Sequence, residues 1–190
     1  MGLLRALADD VFSPGGRYAW LEAMVRNIPG EFGMAVRTWL LPRHFKAAGP
    51  GTAIHPGARI LGPSKLTIGR NCHIGVDNVL QANGEIELGD EVILGPDVKV
   101  WSVNHVFKSL DMRIWDQGYE HKKVVIGSGV WIGADCFIMP GAHIGEHAVI
   151  SAGSVVGGKD IEPYAIVAGN PARKIGTRQE RLAPPAAAIP

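Results

Sequence analysis

Residues 124–156 read VVIGSGVWIGADCFIMPGAHIGEHAVISAGSVV, and in this stretch an aliphatic side chain returns at every sixth position. The aliphatic column consists of Ile126, Ile132, Ile138, Ile144, Ile150 and Val156. Glycine follows four of these six residues, and a small side chain lies four positions after each of the first five. The small column consists of Val130, Cys136, Ala142, Ala148 and Ser154.

A period of six matches neither the roughly 3.6 residues of a helical turn nor the alternation of an isolated strand pair. It is typical of short strands laid on successive flat faces of a coil, with a turn at each corner. We therefore expect the aliphatic column to fill the interior and the small column to let the corners close. The glycines are expected to relax the backbone at the turns.

The same period extends towards the N-terminus with two shifts of two residues. The aliphatic positions there are Ile54, Ile60, Ile68, Ile74, Leu80, Leu88, Leu94 and Val100. Three strands of six residues make one coil of about eighteen residues, so residues 52–160 supply roughly five to six coils. The shifts, at 61–67 and 81–87, indicate small insertions at corners. The predicted fold class is therefore an all-β solenoid of parallel strands.

The hexad stops between residues 102 and 123, where aromatic and polar side chains crowd together. They include Trp101, Asn104, His105, Phe107, Trp115, Asp116, Gln117 and Tyr119. A loop of about twenty residues inside a regular solenoid is either functional or disordered. The aromatic content argues against disorder, so we predict a functional loop at 102–123.

Residues 1–50 differ in kind, because pairs such as Trp20/Met24 have helical spacing between proline and glycine breaks. We predict two or three short helices that cap the open end of the coil at 51–178, since an open end exposes apolar interior and strand edges. The tail at 179–190 is expected to be loose. The basic and aromatic residues of 17–46 include Arg17, Trp20, Arg26, Arg37, Trp39, Arg43, Phe45 and Lys46.

Five basic against two acidic residues between positions 17 and 46 predict a second role for this cap. Helices of such composition can lie on anionic lipid, so we expect a peripheral membrane contact that presents a bulky or lipid-linked acceptor. The alternative is that their apolar face only covers the first coil. Reversing Arg17, Arg26 and Arg37 to glutamate is expected to leave the fold intact.

Overall composition and net charge argue against several classes of function. The chain has 190 residues and a formal net charge of +1, which argues against a nucleic-acid partner. Acidic residues interrupt the N-terminus and no apolar run approaches about 18 residues, so a signal peptide or membrane span is not expected and a cytoplasmic location is. Cys72 and Cys136 both fall in the small column and are predicted to be buried thiols.

Three stretches resemble the hexapeptide-repeat acyltransferases: VWSVNHVFKSLD (100–111), VVIGSGVWIGADCFIMPGAHIG (124–145) and ISAGSVVGGKDIEPYAIVAGNPARKIG (150–176). The resemblance covers about 52–178. Within that family, the chain is similar to the sugar O-acetyltransferase branch, which is related to maltose, galactoside and polysaccharide acetyltransferases. It implies a left-handed parallel β-helix and acetyl-CoA as co-substrate, with no metal. It also implies a homotrimer with each active site between two subunits, and acetyl transfer to a sugar hydroxyl in surface-polysaccharide biosynthesis.

His105 matches the catalytic histidine of that family. A sugar hydroxyl is a poor nucleophile unless its proton is removed as it attacks a thioester, and imidazole is suited to that removal. Asn104 is expected either to donate to the developing oxyanion or to hold the loop through its own amide. No covalent acyl-enzyme is expected, because neither cysteine is placed as a nucleophile.

Positions matching the family's coenzyme A site lie along the outer wall. They are Trp131, Ala134, Ala152, Lys159 and Arg173. Strand-edge backbone groups can bind the pantetheine amides, while the cations meet the phosphates. The chain carries one residue more than the family usually has before Lys159, which changes the aim of that side chain. Acceptor-binding residues do not transfer from the resemblance.

Three alternatives stay open. One keeps the donor but changes the acceptor to an amino sugar or a small antibiotic. Another is a non-catalytic scaffold. The third is a metal-dependent carbonic-anhydrase type, in which His143 and His147 would join His105 or His121 around zinc.

Overall fold

The computed structural model describes residues 2–178, so the tail predicted at 179–190 lies outside the described residues. Three helices come first: α1 (Leu3–Phe12), α2 (Pro14–Val25) and α3 (Gly30–Leu40). The strands of the first half are β1 (Ala47–Ala48), β2 (Ala53–Ile54), β3 (Arg59–Leu61), β4 (Leu66–Ile68), β5 (His73–Ile74), β6 (Val79–Gln81), β7 (Ile86–Leu88), β8 (Ile93–Leu94), β9 (Lys99–Trp101) and β10 (Val103–His105). Those of the second half are β11 (Tyr119–His121), β12 (Val124–Ile126), β13 (Trp131–Ile132), β14 (Phe137–Ile138), β15 (His143–Ile144), β16 (Val149–Ile150), β17 (Val155–Val156), β18 (Asp160–Ile161), β19 (Ala165–Ala168) and β20 (Arg173–Thr177).

The strands form three parallel sheets, one on each face of a coil, which confirms the predicted solenoid. Sheet 1 has the order β1-β4-β7-β12-β15-β18, and sheet 2 runs β2-β5-β8-β13-β16-β19-β20. Sheet 3 runs β17-β14-β9-β6-β3. Every ladder within these sheets is parallel except the last, where β20 turns back antiparallel to β19. The coil begins at Ala47, four residues before the boundary expected at 51.

The two columns read from the sequence form the core. The aliphatic column is at most 2% exposed throughout, and the small column of the second half is fully buried. Cys72 and Cys136 are buried free thiols, as predicted. Each coil therefore stacks like side chains on like side chains, and burial of this continuous apolar interior stabilises the solenoid.

The expectation that the glycine column relaxes the turns is wrong. Gly133 has no positive φ, but a Cβ there would lie 2.6 Å from the Ala152 backbone nitrogen on the next coil. The left-handed conformation falls two positions later, at residues such as Asp135 (φ 54°) and His147 (φ 58°). Glycine in the column thus serves the close approach of neighbouring coils, because a side chain would separate them.

The helical cap is present, but its buried face is not the tryptophan-bearing one. Tyr18, Glu22 and Val25 of α2 are buried against the coil. The exposed large apolar side chains of the helices are Leu3, Leu4, Leu7, Val11, Phe12, Trp20, Met24, Phe32 and Trp39. Helix α1 buries no residue at all. No helix within residues 2–178 is long and apolar enough to cross a bilayer.

The prediction that the basic residues of 17–46 form one exposed surface is wrong for Arg37, because its side chain is 0% exposed. Its Nε donates to the Ile54 carbonyl of the coil at 3.0 Å. Its Nη1 donates to the carbonyls of Val25 (3.2 Å), Arg26 (3.3 Å) and Ile28 (2.8 Å). The α2 C-terminus lacks intrahelical donors for these oxygens, so one guanidinium caps α2 and ties it to the first coil.

Two further charges of the cap are also internal or paired. Glu22 is 7% exposed and accepts the Ile60 backbone N–H at 2.6 Å. Lys46 pairs with Glu85 at 3.4 Å. The triple reversal that includes Arg37 is therefore no longer expected to leave the fold intact, since it would bury an unpaired carboxylate.

Candidate active site

The long loop leaves the coil at the corner between sheets 3 and 1 and folds into a hairpin. Strand β10 pairs antiparallel with β11, which sets His105 opposite Tyr119. The two rings lie 4.6 Å apart between centroids, and the Trp115 ring lies 6.4 Å from His105. The Lys122 backbone N–H donates to the Ser102 carbonyl at 2.9 Å and closes the base of the loop. The hairpin thus holds the imidazole among aromatic rings rather than in free solvent.

The two nitrogens of His105 have different surroundings. Nδ1 is buried and has no hydrogen-bond partner among the described residues. The side chain as a whole is half-buried, so Nε2 is the nitrogen left to accept a proton from a ligand. A neutral imidazole carries one proton, and its position is set by the partner of the other nitrogen.

Asn104 has its carbonyl oxygen engaged locally. Oδ1 accepts the His105 backbone N–H at 3.1 Å, which fits the loop-stabilising role expected for this residue. Asn104 is exposed and lines the same cavity as His105, so its Nδ2 group remains a donor for a ligand. Both predicted roles are therefore chemically compatible with the geometry.

The sequence analysis did not identify the other residues that line the His105 cavity as candidate binding groups. This cavity has a volume of about 190 Å³, and its lining consists of Gln81, Trp101, Val103, Asn104, His105 and Tyr119. Gln81 and Trp101 are register partners on β6 and β9, on the outer face of sheet 3. The sequence did contain a signal for this pair, because outward-facing residues at equivalent positions of successive coils become neighbours in a ladder.

Ala134 and Ala152 occupy equivalent corners of successive coils, between sheets 2 and 3. The Gly153 backbone N–H donates to the Ala134 carbonyl at 2.8 Å, which ties the two corners together. Within residues 2–178, neither the Ala134 nor the Ala152 backbone N–H makes a hydrogen bond to another main-chain group. Two amide donors are thus available along this corner for an extended ligand.

Trp131 lies on the outer face of sheet 2, 53% exposed, between Ile93 and Val149 in the ladder. It lines an apolar groove of about 670 Å³ that Ile175 of β20 closes on one side. Such a groove suits the apolar parts of a long ligand.

Lys159 and Arg173 come together at the C-terminal end of the coil. Both line a cavity of about 320 Å³ and a smaller neighbour of about 140 Å³. The additional residue before Lys159 is absorbed in a tight turn, in which the Lys159 N–H donates to the Gly157 carbonyl at 2.7 Å. The larger cavity also carries Asp160 and Glu162, and Glu162 is paired with Lys174 at 2.6 Å.

Within one chain, the cavity that holds His105 has none of the five predicted donor residues in its lining. The histidine lies at the corner between sheets 3 and 1, whereas Ala134 and Ala152 lie at the corner between sheets 2 and 3. A single described chain therefore brings together His105 with Asn104, and Lys159 with Arg173, but does not join these groups.

The remaining histidines and the cysteines show other surroundings. His143 lies 3.5 Å from Asp160, and the His147 ring stacks on Tyr164 with centroids 5.1 Å apart. No cluster of three or more metal-binding side chains occurs in the part of the chain that the structure describes. Burial raises the pKa of the Cys72 and Cys136 thiols, which disfavours the nucleophilic thiolate form.

Comparison with known proteins gives a consistent result. A family model described as bacterial transferase hexapeptide (six repeats) matches residues 123–158. The galactoside O-acetyltransferase of Escherichia coli (strain K12) is 31% identical over 145 residues, which cover 76% of this chain and 70% of that relative.

Two solved structures that resemble this chain contain bound ligands. A hexapeptide-repeat acetyltransferase from Vibrio cholerae O1 biovar eltor, complexed with acetyl-CoA, matches with a TM-score of 0.76 and 26% identity over 86% of both chains. Galactoside acetyltransferase in complex with coenzyme A matches with a TM-score of 0.78 and 26% identity, covering 95% of this chain and 86% of that one.

The parallel solenoid and the match to galactoside O-acetyltransferase together define the class as a parallel β-helix acyltransferase. The chain belongs to the hexapeptide-repeat acetyltransferases and is similar to the galactoside O-acetyltransferases among them. It is an enzyme whose acyl donor is acetyl-CoA.

Proposed function

We propose that this protein acetylates a sugar hydroxyl in surface-polysaccharide biosynthesis, with His105 as general base. The observation that carries the proposal is the His105 cavity, where an imidazole nitrogen meets aromatic and amide side chains on a rigid hairpin base. The likeness to galactoside O-acetyltransferase supports a carbohydrate acceptor.

The reaction needs a base at one atom. His105 Nε2 would take the proton from the attacking hydroxyl as the new C–O bond forms to the thioester carbonyl. The same proton would then pass to the departing sulfur of coenzyme A. Asn104 lines the same cavity, and its Nδ2 group would donate to the oxyanion that develops on the carbonyl oxygen.

We assign the donor site to the wall that carries Trp131, Ala134 and Ala152, with Lys159 and Arg173 at its end. The free amides of the two alanines would bind the pantetheine, since that arm of the donor presents carbonyl acceptors. Lys159 and Arg173 are the charged side chains that line the cavity of about 140 Å³, and their convergence supports phosphate binding there.

A homotrimer would unite these groups, because His105 of one chain would face the donor wall of its neighbour. Exposed apolar side chains on the loop support such a contact, notably Leu110 (98% exposed) and Trp115 (77% exposed). Mixing an inactive His105→Ala chain with an inactive Arg173→Ala chain should restore activity in mixed trimers, where some sites take one intact residue from each chain. No recovery, or a stable monomer in sedimentation, would exclude a shared site.

We also propose that the cap touches an anionic membrane in the cytoplasm, where a lipid-linked acceptor would be met. The exposed Leu4, Phe12 and Trp20 side chains and the exposed Arg17 and Arg43 support this contact. Charge reversal of Arg17 and Arg43 should weaken sedimentation with phosphatidylglycerol vesicles and leave acetyl-CoA affinity unchanged. Equal binding to phosphatidylcholine vesicles, or no binding, would contradict the membrane contact and would mean that the cap only covers the first coil.

The central test is incubation of the full chain with acetyl-CoA and an acceptor panel, followed by mass spectrometry. Neutral glycosides, nucleotide-linked sugars, lipid-linked glycans, glucosamine and a small hydroxylated antibiotic would be compared. O-acetylation of a neutral sugar supports the proposal, whereas exclusive use of glucosamine or the antibiotic would support the alternative acceptors.

The role of His105 has its own test. His105→Ala is expected to lower turnover by about 10²–10⁴, the range for a lost general base, with little change in acetyl-CoA affinity. Full activity in this variant, or an acetylated cysteine trapped by mass spectrometry, would overturn the assignment.

A further inference from the structure

Sheet 3 carries an aromatic and amide surface directly beside His105 that the donor site does not use. Trp101 and Gln81 are register partners on this surface and line the same cavity as the histidine. Both side chains are half-buried, so each keeps part of its surface open to a ligand.

The Trp101 ring is held on rigid elements. It packs against the Phe137 ring of the next coil, with centroids 5.8 Å apart and planes inclined by 30°. Behind it, the Ser102 hydroxyl and backbone N–H both donate to the Gln81 carbonyl, at 2.6 Å and 3.0 Å. Binding surfaces built on braced strands lose little conformational entropy when a ligand docks.

The Gln81 side chain offers unused hydrogen-bond donors. Its Oε1 accepts the Asn83 backbone N–H at 3.2 Å, which fixes the direction of the amide. No described residue accepts a hydrogen bond from its Nε2, and this atom is not buried. Two N–H donors are therefore open to a ligand at this position.

The cavity carries no carboxylate, lysine or arginine in its lining. Glu120 on the same hairpin is paired with Lys122 at 3.0 Å. An ammonium group would lack a charged partner here, which disfavours an amino sugar. The volume of about 190 Å³ is also below the roughly 300 Å³ that drug-sized ligands occupy, but it admits one sugar ring.

We propose that Trp101 and Gln81 form the acceptor subsite and select a neutral pyranose. The apolar C–H face of the ring lies on Trp101, while Gln81 Nε2 donates to a ring hydroxyl and leaves the neighbouring hydroxyl at His105. This inference rests on the proposed function, because it takes His105 as the base.

Steady-state kinetics of the full chain with methyl β-galactopyranoside test the subsite. Trp101→Ala should raise the acceptor KM tenfold or more, with the acetyl-CoA KM unchanged, and Trp101→Phe should recover part of the loss. The matched control is Trp39→Ala, which removes an exposed tryptophan of the cap and should alter neither constant. Equal changes in both KM values, or no change, would overturn the proposal.

A charge swap separates recognition from structural support. Gln81→Glu should raise the ratio of kcat/KM for glucosamine to that for methyl β-galactopyranoside by tenfold or more, because the new carboxylate pairs with the ammonium group. A merely structural Gln81 would lower both values together and leave the ratio unchanged, which would contradict the proposal.

Direct binding distinguishes this inference from the proposed function. Saturation-transfer NMR should detect methyl β-galactopyranoside on the wild-type chain and lose the signal in Trp101→Ala. If the wild type binds the glycoside but does not acetylate it, the subsite stands and the proposed function fails. If it does not bind the glycoside, the subsite proposal is wrong.

Discussion

Replacing Arg37 by alanine is expected to loosen the helical cap from the coil. The guanidinium caps the C-terminus of α2 through three carbonyls and reaches the Ile54 carbonyl of the coil. The Val25 and Arg26 carbonyls also accept backbone N–H groups, from Ile28 at 3.3 Å and Gly57 at 3.2 Å. Alanine would therefore cost most at the Ile28 and Ile54 carbonyls, which would lose their Arg37 donor where water does not reach, since Arg37 is fully buried.

The magnitude follows from the bond lengths. Nη1 shares two N–H groups among three carbonyls, so its shortest bond, to Ile28 (2.8 Å), carries most of its effect, and the Nε bond to Ile54 (3.0 Å) adds a second contribution. Each hydrogen bond from a charged group contributes about 1.5–3 kcal/mol. With two such bonds lost, we expect the free energy of unfolding to fall by about 3–6 kcal/mol.

Urea unfolding followed by tryptophan fluorescence, with limited proteolysis of the cap, measures this loss. Arg43→Ala is the matched control, because Arg43 is exposed and stacks on Trp39 at 3.7 Å. The control should change the free energy of unfolding by less than about 1 kcal/mol. Arg37→Ala with the same midpoint and proteolysis rate as Arg43→Ala would refute the reasoning. Acetyl-CoA affinity should persist in both variants.

Two further predictions concern Glu22 and the turn before Lys159. Burial raises the pKa of Glu22 above its ordinary 4.5, so the folded chain holds this proton more tightly than the unfolded chain. Stability from this group is present at low pH and is lost as the pH rises through the raised pKa. The free energy of unfolding of Glu22→Gln relative to wild type should therefore grow from pH 4 to pH 8, and a difference independent of pH would contradict this. A Cβ on Gly158 would lie 2.6 Å from the Pro140 carbonyl oxygen, so Gly158→Ala should displace Lys159 and weaken coenzyme A binding several-fold in calorimetry. Gly157→Ala meets no atom within 4 Å and should bind normally; equal affinities would disprove the role of the turn.

The coil was predictable because its signal is periodic and local. Inward positions such as Ile132 and Ile150 repeat with the geometry of the strands, so burial follows directly from the order of residues. The loop at 102–123 was predictable as the place where this period fails. Its hairpin pairing was not, since the register between β10 and β11 leaves no comparable repeat.

The cap shows where sequence reasoning stops. Helical spacing predicted helices, but it did not tell which face of α2 packs on the coil. Arg37 looked like a surface charge, and its burial depends on carbonyls that a different helix brings to it. The neighbourhood of Gln81 and Trp101 likewise arises from stacking of coils twenty residues apart. Such contacts are tertiary, and single-residue preferences do not encode them.

The long loop joins the coil in a way that leaves the pairing of the coil strands unchanged. Strand β9 pairs with β6 and β14, and β12 pairs with β7 and β15, although the loop lies between β9 and β12. The Lys122–Ser102 hydrogen bond closes its base, so the ladder continues past it without a change of register. Loop sequences can therefore be exchanged between relatives, or redesigned, while the scaffold and its donor wall persist. Divergence of acceptors on a constant scaffold can therefore draw on this loop and on the outward residues of sheet 3 beside it, Gln81 and Trp101.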